Sequence, residues 1–74
     1  MYPNQQINIM SKYNVWKTDS KCNPIEGTDK IMESPNKRWL MKHIAYENNV
    51  KIPHGSLIVR LPNGDIWTAT KRNN

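Results

Sequence analysis

Between Leu57 and Lys71 the chain reads LIVRLPNGDIWTATK, two runs rich in β-branched and aromatic residues separated by Pro62-Asn63-Gly64. Proline presets φ for the first central turn position, asparagine suits the second, and glycine takes the left-handed position. That is the chemistry of a type I turn closed by a glycine bulge. Such a loop sets Leu61 opposite Asp65, Val59 opposite Trp67 and Leu57 opposite Ala69 across one face. Ile58, Arg60, Ile66, Thr68 and Thr70 then occupy the other face. A tighter Asn-Gly loop would pair Arg60 with Trp67, split the apolar set and put Pro62, which has no N–H, into a ladder. The bulged hairpin is the expected form.

Ahead of the hairpin the sequence SPNKRWLMKHIAYENN has helical period. Ser34-Pro35 is a start signal: serine can accept from an orphan backbone N–H, and proline at the first helical position loses no bond. Asn48 and Asn49 can end the helix in a left-handed conformation. On a wheel of about 100° per residue, Leu40, Met41, Ile44 and Ala45 form the core stripe. Trp39, His43 and Tyr46 are read as one border of that stripe, with Arg38, Lys42 and Asn49 on the wet side. Val50 to Ser56 is a connector, broken by Pro53 and Gly55.

The first half is less decided. Ile7, Ile9, Tyr13 and Val15 fall on one strand face by alternation, whereas Ile9, Tyr13 and Trp16 would line up on a helix. The β-branched and aromatic content of Tyr13–Thr18 favours a strand. Asp19 to Asp29 is a loop by composition, with turn dipeptides Asn23-Pro24 and Glu26-Gly27. Lys30–Glu33 is either a short strand returning beside Tyr13–Lys17 or a single helical turn.

The expected architecture is therefore α+β, a small antiparallel β-sheet of three or four strands packed on one α-helix, in the order β-(β)-α-β-β. Its core is expected to be Val15, Leu40, Met41, Ile44, Leu57, Val59 and Trp67. The runner-up is a degenerate winged helix, since a helix followed at once by a hairpin is the order of recognition helix and wing. That alternative needs Ile7–Trp16 and Thr28–Glu33 to be helices.

Length bears on stability: 74 residues make a single small domain (1–74) near the lower limit for an unstapled core, with 1–6 and the polar tail from Lys71, especially 72–74, expected to be mobile. There is no Phe, so Trp16, Trp39 and Trp67 are the largest core candidates. The lone Cys22 fits a reducing compartment. With no charged and apolar leader at the start and no long apolar run, the reading is soluble and cytoplasmic, without membrane contact. Ten Asn beside eight Lys suggest AT-rich coding, such as that of a phage.

Chemistry is sparse. Cys22, His43 and His54 lack the paired spacing of a zinc site, the carboxylates are scattered, and Gly27, Gly55 and Gly64 are too far apart for a phosphate loop. Cys22 with His43 as nucleophile and base has no supporting context, and His54 reads as a solvated loop residue. No catalytic residue, metal or cofactor is assigned, and the chain is read as a non-enzymatic binding protein. Surfaces are what remain. A net charge of +5 from eleven Lys and Arg against six Asp and Glu suits a polyanion. Lys37, Arg38 and Lys42 on the helix, Arg60 on the hairpin, and Lys71 and Arg72 beyond it are the nucleic-acid-binding candidates. The alternative is a protein-interaction module, such as a phage-encoded inhibitor of a host enzyme or a homodimer, using Trp39, Tyr46, Ile58, Ile66 and Thr68.

Overall fold

Residues 9–73 are described by a computed structural model. Tyr13 and Val15 are buried while their neighbours Lys12 and Asn14 are exposed, the period of a half-buried strand, and Ser11–Thr18 forms β1. β2 (Lys30–Ser34) returns beside it, α1 (Lys37–Glu47) follows, and β3 (Val59–Arg60) and β4 (Ile66–Lys71) close the chain. The sheet is antiparallel throughout, in the order β2-β1-β4-β3. It is the expected α+β arrangement with four strands and one helix among the described residues. The winged-helix alternative falls because Ser11–Trp16 and Lys30–Glu33, in the two segments it needed as helices, lie in strands β1 and β2.

The hairpin has the expected turn and register. Leu61 N–H donates to Asp65 C=O at 2.8 Å, Gly64 N–H donates to Leu61 C=O at 3.0 Å, and Val59 pairs with Trp67. Gly64 has φ +95°, and a Cβ there would also lie 3.3 Å from the Ser20 Cβ, so the turn and the neighbouring loop both call for glycine. The expected pairing of Leu57 with Ala69 does not form. Gly55 (φ 81°) and a Ser56 N–H to Pro53 C=O bond hold the connector in a turn, and the Ser56 hydroxyl bonds to Ile58 C=O, so the ladder begins only at Val59. Leu57 is 52% exposed and leaves the core.

Ser34 is not the helix cap. It ends β2, buried, with its hydroxyl donating to Asn36 C=O. Asn36 is the N-cap instead, its Oδ1 accepting from Trp39 N–H at 2.9 Å. The helix ends as expected at the paired asparagines. Asn48 is the C-cap, Asn49 is left-handed (φ 57°), and Val50 N–H reaches Ala45 C=O while Asn49 N–H reaches Tyr46 C=O. That is a Schellman motif, and Val50 packs on the core behind it.

The helix stripe Leu40, Met41, Ile44 and Ala45 packs on one face of the sheet with Tyr13, Val15, Val59 and Ala69. Tyr13, absent from the expected core, fills it because β1 lies inside the sheet and pairs Tyr13 with both Met32 and Lys71. Trp67 is half-buried at the margin, with Lys30 Nζ 5.0 Å and Lys17 Nζ 5.8 Å from its ring centroid. Lys71 belongs to β4, and Arg72 N–H donates to Lys12 C=O at 2.8 Å, so the polar end is tied to the sheet rather than loose. Residues 1–6, expected to be mobile, and Ile7, expected on the strand face, lie outside the described residues.

Candidate functional site

Two surfaces carry the chemistry, and they lie on opposite sides of the sheet. The first is the outer face of α1. Relative to the core residues, Trp39 precedes Met41 by two positions and Tyr46 follows Ile44 by two, about 200° around the helix in each case. Both side chains therefore stand opposite the core, not on its border, and are 62% and 83% exposed. Seven residues apart, they lie on one line along the helix. Arg38 and Lys42 flank that line on one side, both exposed, and His43 flanks it on the other. His43 Nε2 is 3.4 Å from a Glu47 carboxylate oxygen, so Glu47 faces away from the Arg38–Lys42 side. Lys37 is half-buried at the helix start. From Lys37 to Tyr46 there is no carboxylate on the element.

The second surface is the sheet face that no helix among the described residues covers. Alternation places Arg60, Ile66, Thr68 and Thr70 of the hairpin there, beside Asn14, Trp16 and Thr18 of β1 and Ile31 of β2. Two depressions meet at Trp16. One, about 770 Å³, is lined by Asn14, Ile31, Thr70, Asp29 and Lys30, and the other, about 360 Å³, by Thr18, Cys22, Pro24, Ile58, Ile66 and Thr68. Ile31 and Ile58 are exposed on this face. Ile66 is not available as a contact, being only 8% exposed. The loop after β1 folds back through a Thr18–Pro24 bridge, which brings Pro24 and Cys22 beside it.

That loop is clasped by Asp19. Its Oδ1 accepts from Lys21 N–H at 2.8 Å and Asn23 N–H at 2.9 Å, and Oδ2 from the Asn23 side-chain amide at 3.2 Å. The Asn23 backbone bond is the main reason its carboxyl titrates below the ordinary 3.8.

The basic residues singled out in the sequence do not converge. Arg38 and Lys42 share the helix face, Arg60 lies on the uncovered sheet face, Lys71 lies on the helix side of β4, and Arg72 lies beside Lys12. The protein-binding set divides in the same way, Trp39 and Tyr46 on the helix and Ile58, Ile66 and Thr68 across the sheet. What the structure does bring together is one part of each set: Trp39 and Tyr46 with Arg38 and Lys42. Trp16, a core candidate by size, lies instead on the outer sheet face beside Thr68, because its place in the alternation is out of phase with Tyr13 and Val15.

No three or more His, Cys, Asp or Glu among the described residues could hold a metal, and no described helix is long and apolar enough to cross a membrane. Comparison with family models, curated proteins and solved structures finds no match for this chain.

Proposed function

We propose that this chain is a small non-enzymatic nucleic-acid-binding protein that works through the outer face of α1. The observation that carries the reading is the uninterrupted positive character of Lys37–Tyr46, where Arg38 and Lys42 stand exposed with no carboxylate among them. Phosphates gain from such a row mainly by counterion release, which makes affinity fall with salt. The overall charge of +5 draws a polyanion towards the molecule without selecting the face.

Anisotropy titrations of labelled oligonucleotides over a salt series test the reading. Affinity is expected to fall steeply with salt, and Lys42→Glu is expected to weaken binding and reduce the slope of log K against log salt by about 1. Arg60→Glu, on the other side of the sheet, is expected to change binding little. An absence of binding at low salt, or equal losses from Lys42→Glu and Arg60→Glu, would overturn it.

A second reading is favoured by the two depressions meeting at Trp16: a protein-interaction module that docks by its uncovered sheet face, as an inhibitor of a host enzyme would. Thr68→Asp is the cleaner probe, because Ile66→Asp buries a carboxylate and damages the fold. Capture of one specific protein that survives high salt and is lost in Thr68→Asp supports this reading, and capture unaffected by the substitution removes it.

A further inference from the structure

Resting on the nucleic-acid reading, we infer that the ligand is single-stranded, with bases stacked on Trp39 and Tyr46 and the phosphate backbone running along Arg38 and Lys42. Trp39 and Tyr46 are two of the most exposed large side chains of the described residues, and neither serves the core. An exposed tryptophan and tyrosine on one line of one helix need a partner that offers flat apolar surface. An exposed row of cations beside them needs a partner that offers negative charge. A single strand offers both at once, because unstacked bases present their faces while phosphates follow at regular intervals. A duplex offers only the charge, since its base faces are occupied within the stack.

The spacing fits the same partner. Seven residues of helix advance about 10.5 Å, about three times the ~3.4 Å per-nucleotide rise of a stacked strand. Lys42 lies between them along the axis and about 60° to one side of Trp39, where a backbone would pass if its bases turned towards the rings. His43 and Glu47, close to each other on the opposite side, leave that flank without a free row of cations.

The experiment compares single-stranded and duplex oligonucleotides of the same length and salt concentration, with wild type, Trp39→Ala, Tyr46→Ala and Trp39→Phe. Because both side chains are exposed, circular dichroism and melting should be close to wild type for all of them. Single-strand affinity is expected to fall about 5- to 150-fold on loss of one ring, with Trp39→Phe restoring most of it. Duplex affinity is expected to be weaker and unmoved by the same changes. Binding of duplex as tight as single strand, or single-strand affinity insensitive to both alanine substitutions, overturns the inference while leaving a salt-dependent nucleic-acid reading in place. Failure of all oligonucleotides to bind at low salt overturns both. Trp39-dependent binding to anionic phospholipid vesicles, with no preference for single strands over duplex, also overturns the inference and assigns the ridge to a lipid surface.

Discussion

At the residue scale, Trp67 shows how a side chain can be needed for its bulk while its polar atom is a cost. The ring covers the margin of the core beside Val59, but its Nε1–H is buried with no hydrogen-bond partner among the described residues. A buried unpaired donor costs about 1–3 kcal/mol, so Trp67→Phe is expected to be near neutral in chemical denaturation. Trp67→Ala removes the covering ring and is expected to cost about 2–3 kcal/mol, below the range for a fully enclosed aromatic. If the two substitutions destabilise equally, the indole N–H has a partner and the placement is wrong. Asp19 gives a pH signature of the opposite kind. Its folded carboxyl titrates below the 3.8 that the unfolded chain would show, so the clasp contributes fully above that value and is lost as pH falls through the lower, folded one. Melting of Asp19→Asn should therefore lie below wild type by a constant gap above pH ~4, closing as the medium becomes more acid. A gap that widens on acidification would contradict the clasp.

At the element scale, α1 is charged against its own dipole. The first turn holds Lys37 and Arg38 and no acid, whereas a helix N-terminus is stabilised by negative side chains. Cations placed there add to the positive end of the helix, an arrangement that costs stability and suits an anionic partner. Arg38→Glu is expected to stabilise the fold by about 0.3–1 kcal/mol at low ionic strength and to weaken oligonucleotide binding in the same preparation. Loss of stability, or unchanged binding, would show that Arg38 is held by an interaction other than the proposed ligand. The strands carry a separate lesson about edges. β3 is only Val59–Arg60, and β2 carries exposed charges at Lys30 on one face and Glu33 on the other, so neither edge is long, flat and apolar.

At the scale of the whole molecule, one helix and one sheet share a single apolar layer, and the division between core and periphery can be read from paired truncations. Leu40 is 2% exposed and Leu57 is 52% exposed. Leu40→Ala is expected to cost about 2–5 kcal/mol, enough to unfold much of a domain whose total stability is marginal, while Leu57→Ala should stay within about 0.5 kcal/mol. Comparable losses at both positions would mean that β3 extends back to Leu57 as the alternating pattern alone suggests. The layer also leaves the two outer faces as the surfaces open to a partner, since the inner ones are closed on each other.

Local chemistry settled a good part of this structure before any tertiary contact is considered. The Pro-Asn-Gly turn, the Val59–Trp67 register, the stripe Leu40-Met41-Ile44-Ala45 and the asparagine stop were all legible because each depends on neighbours within a few residues. The cations and exposed aromatics of α1 were legible as residues too. Tertiary structure decided the rest. It moved the cap from Ser34 to Asn36, because β1 recruits Ser34 into β2. It promoted Tyr13 to the core, because a strand between two others buries one face whatever its composition, and it released Leu57, because the connector's turns stop the ladder at Val59. It also separated Arg60 and Arg72 from Arg38 and Lys42 and set Trp39 and Tyr46 beside the latter pair. Which charges share a surface depends on how the helix lies on the sheet, and no stretch of the chain contains that relation by itself.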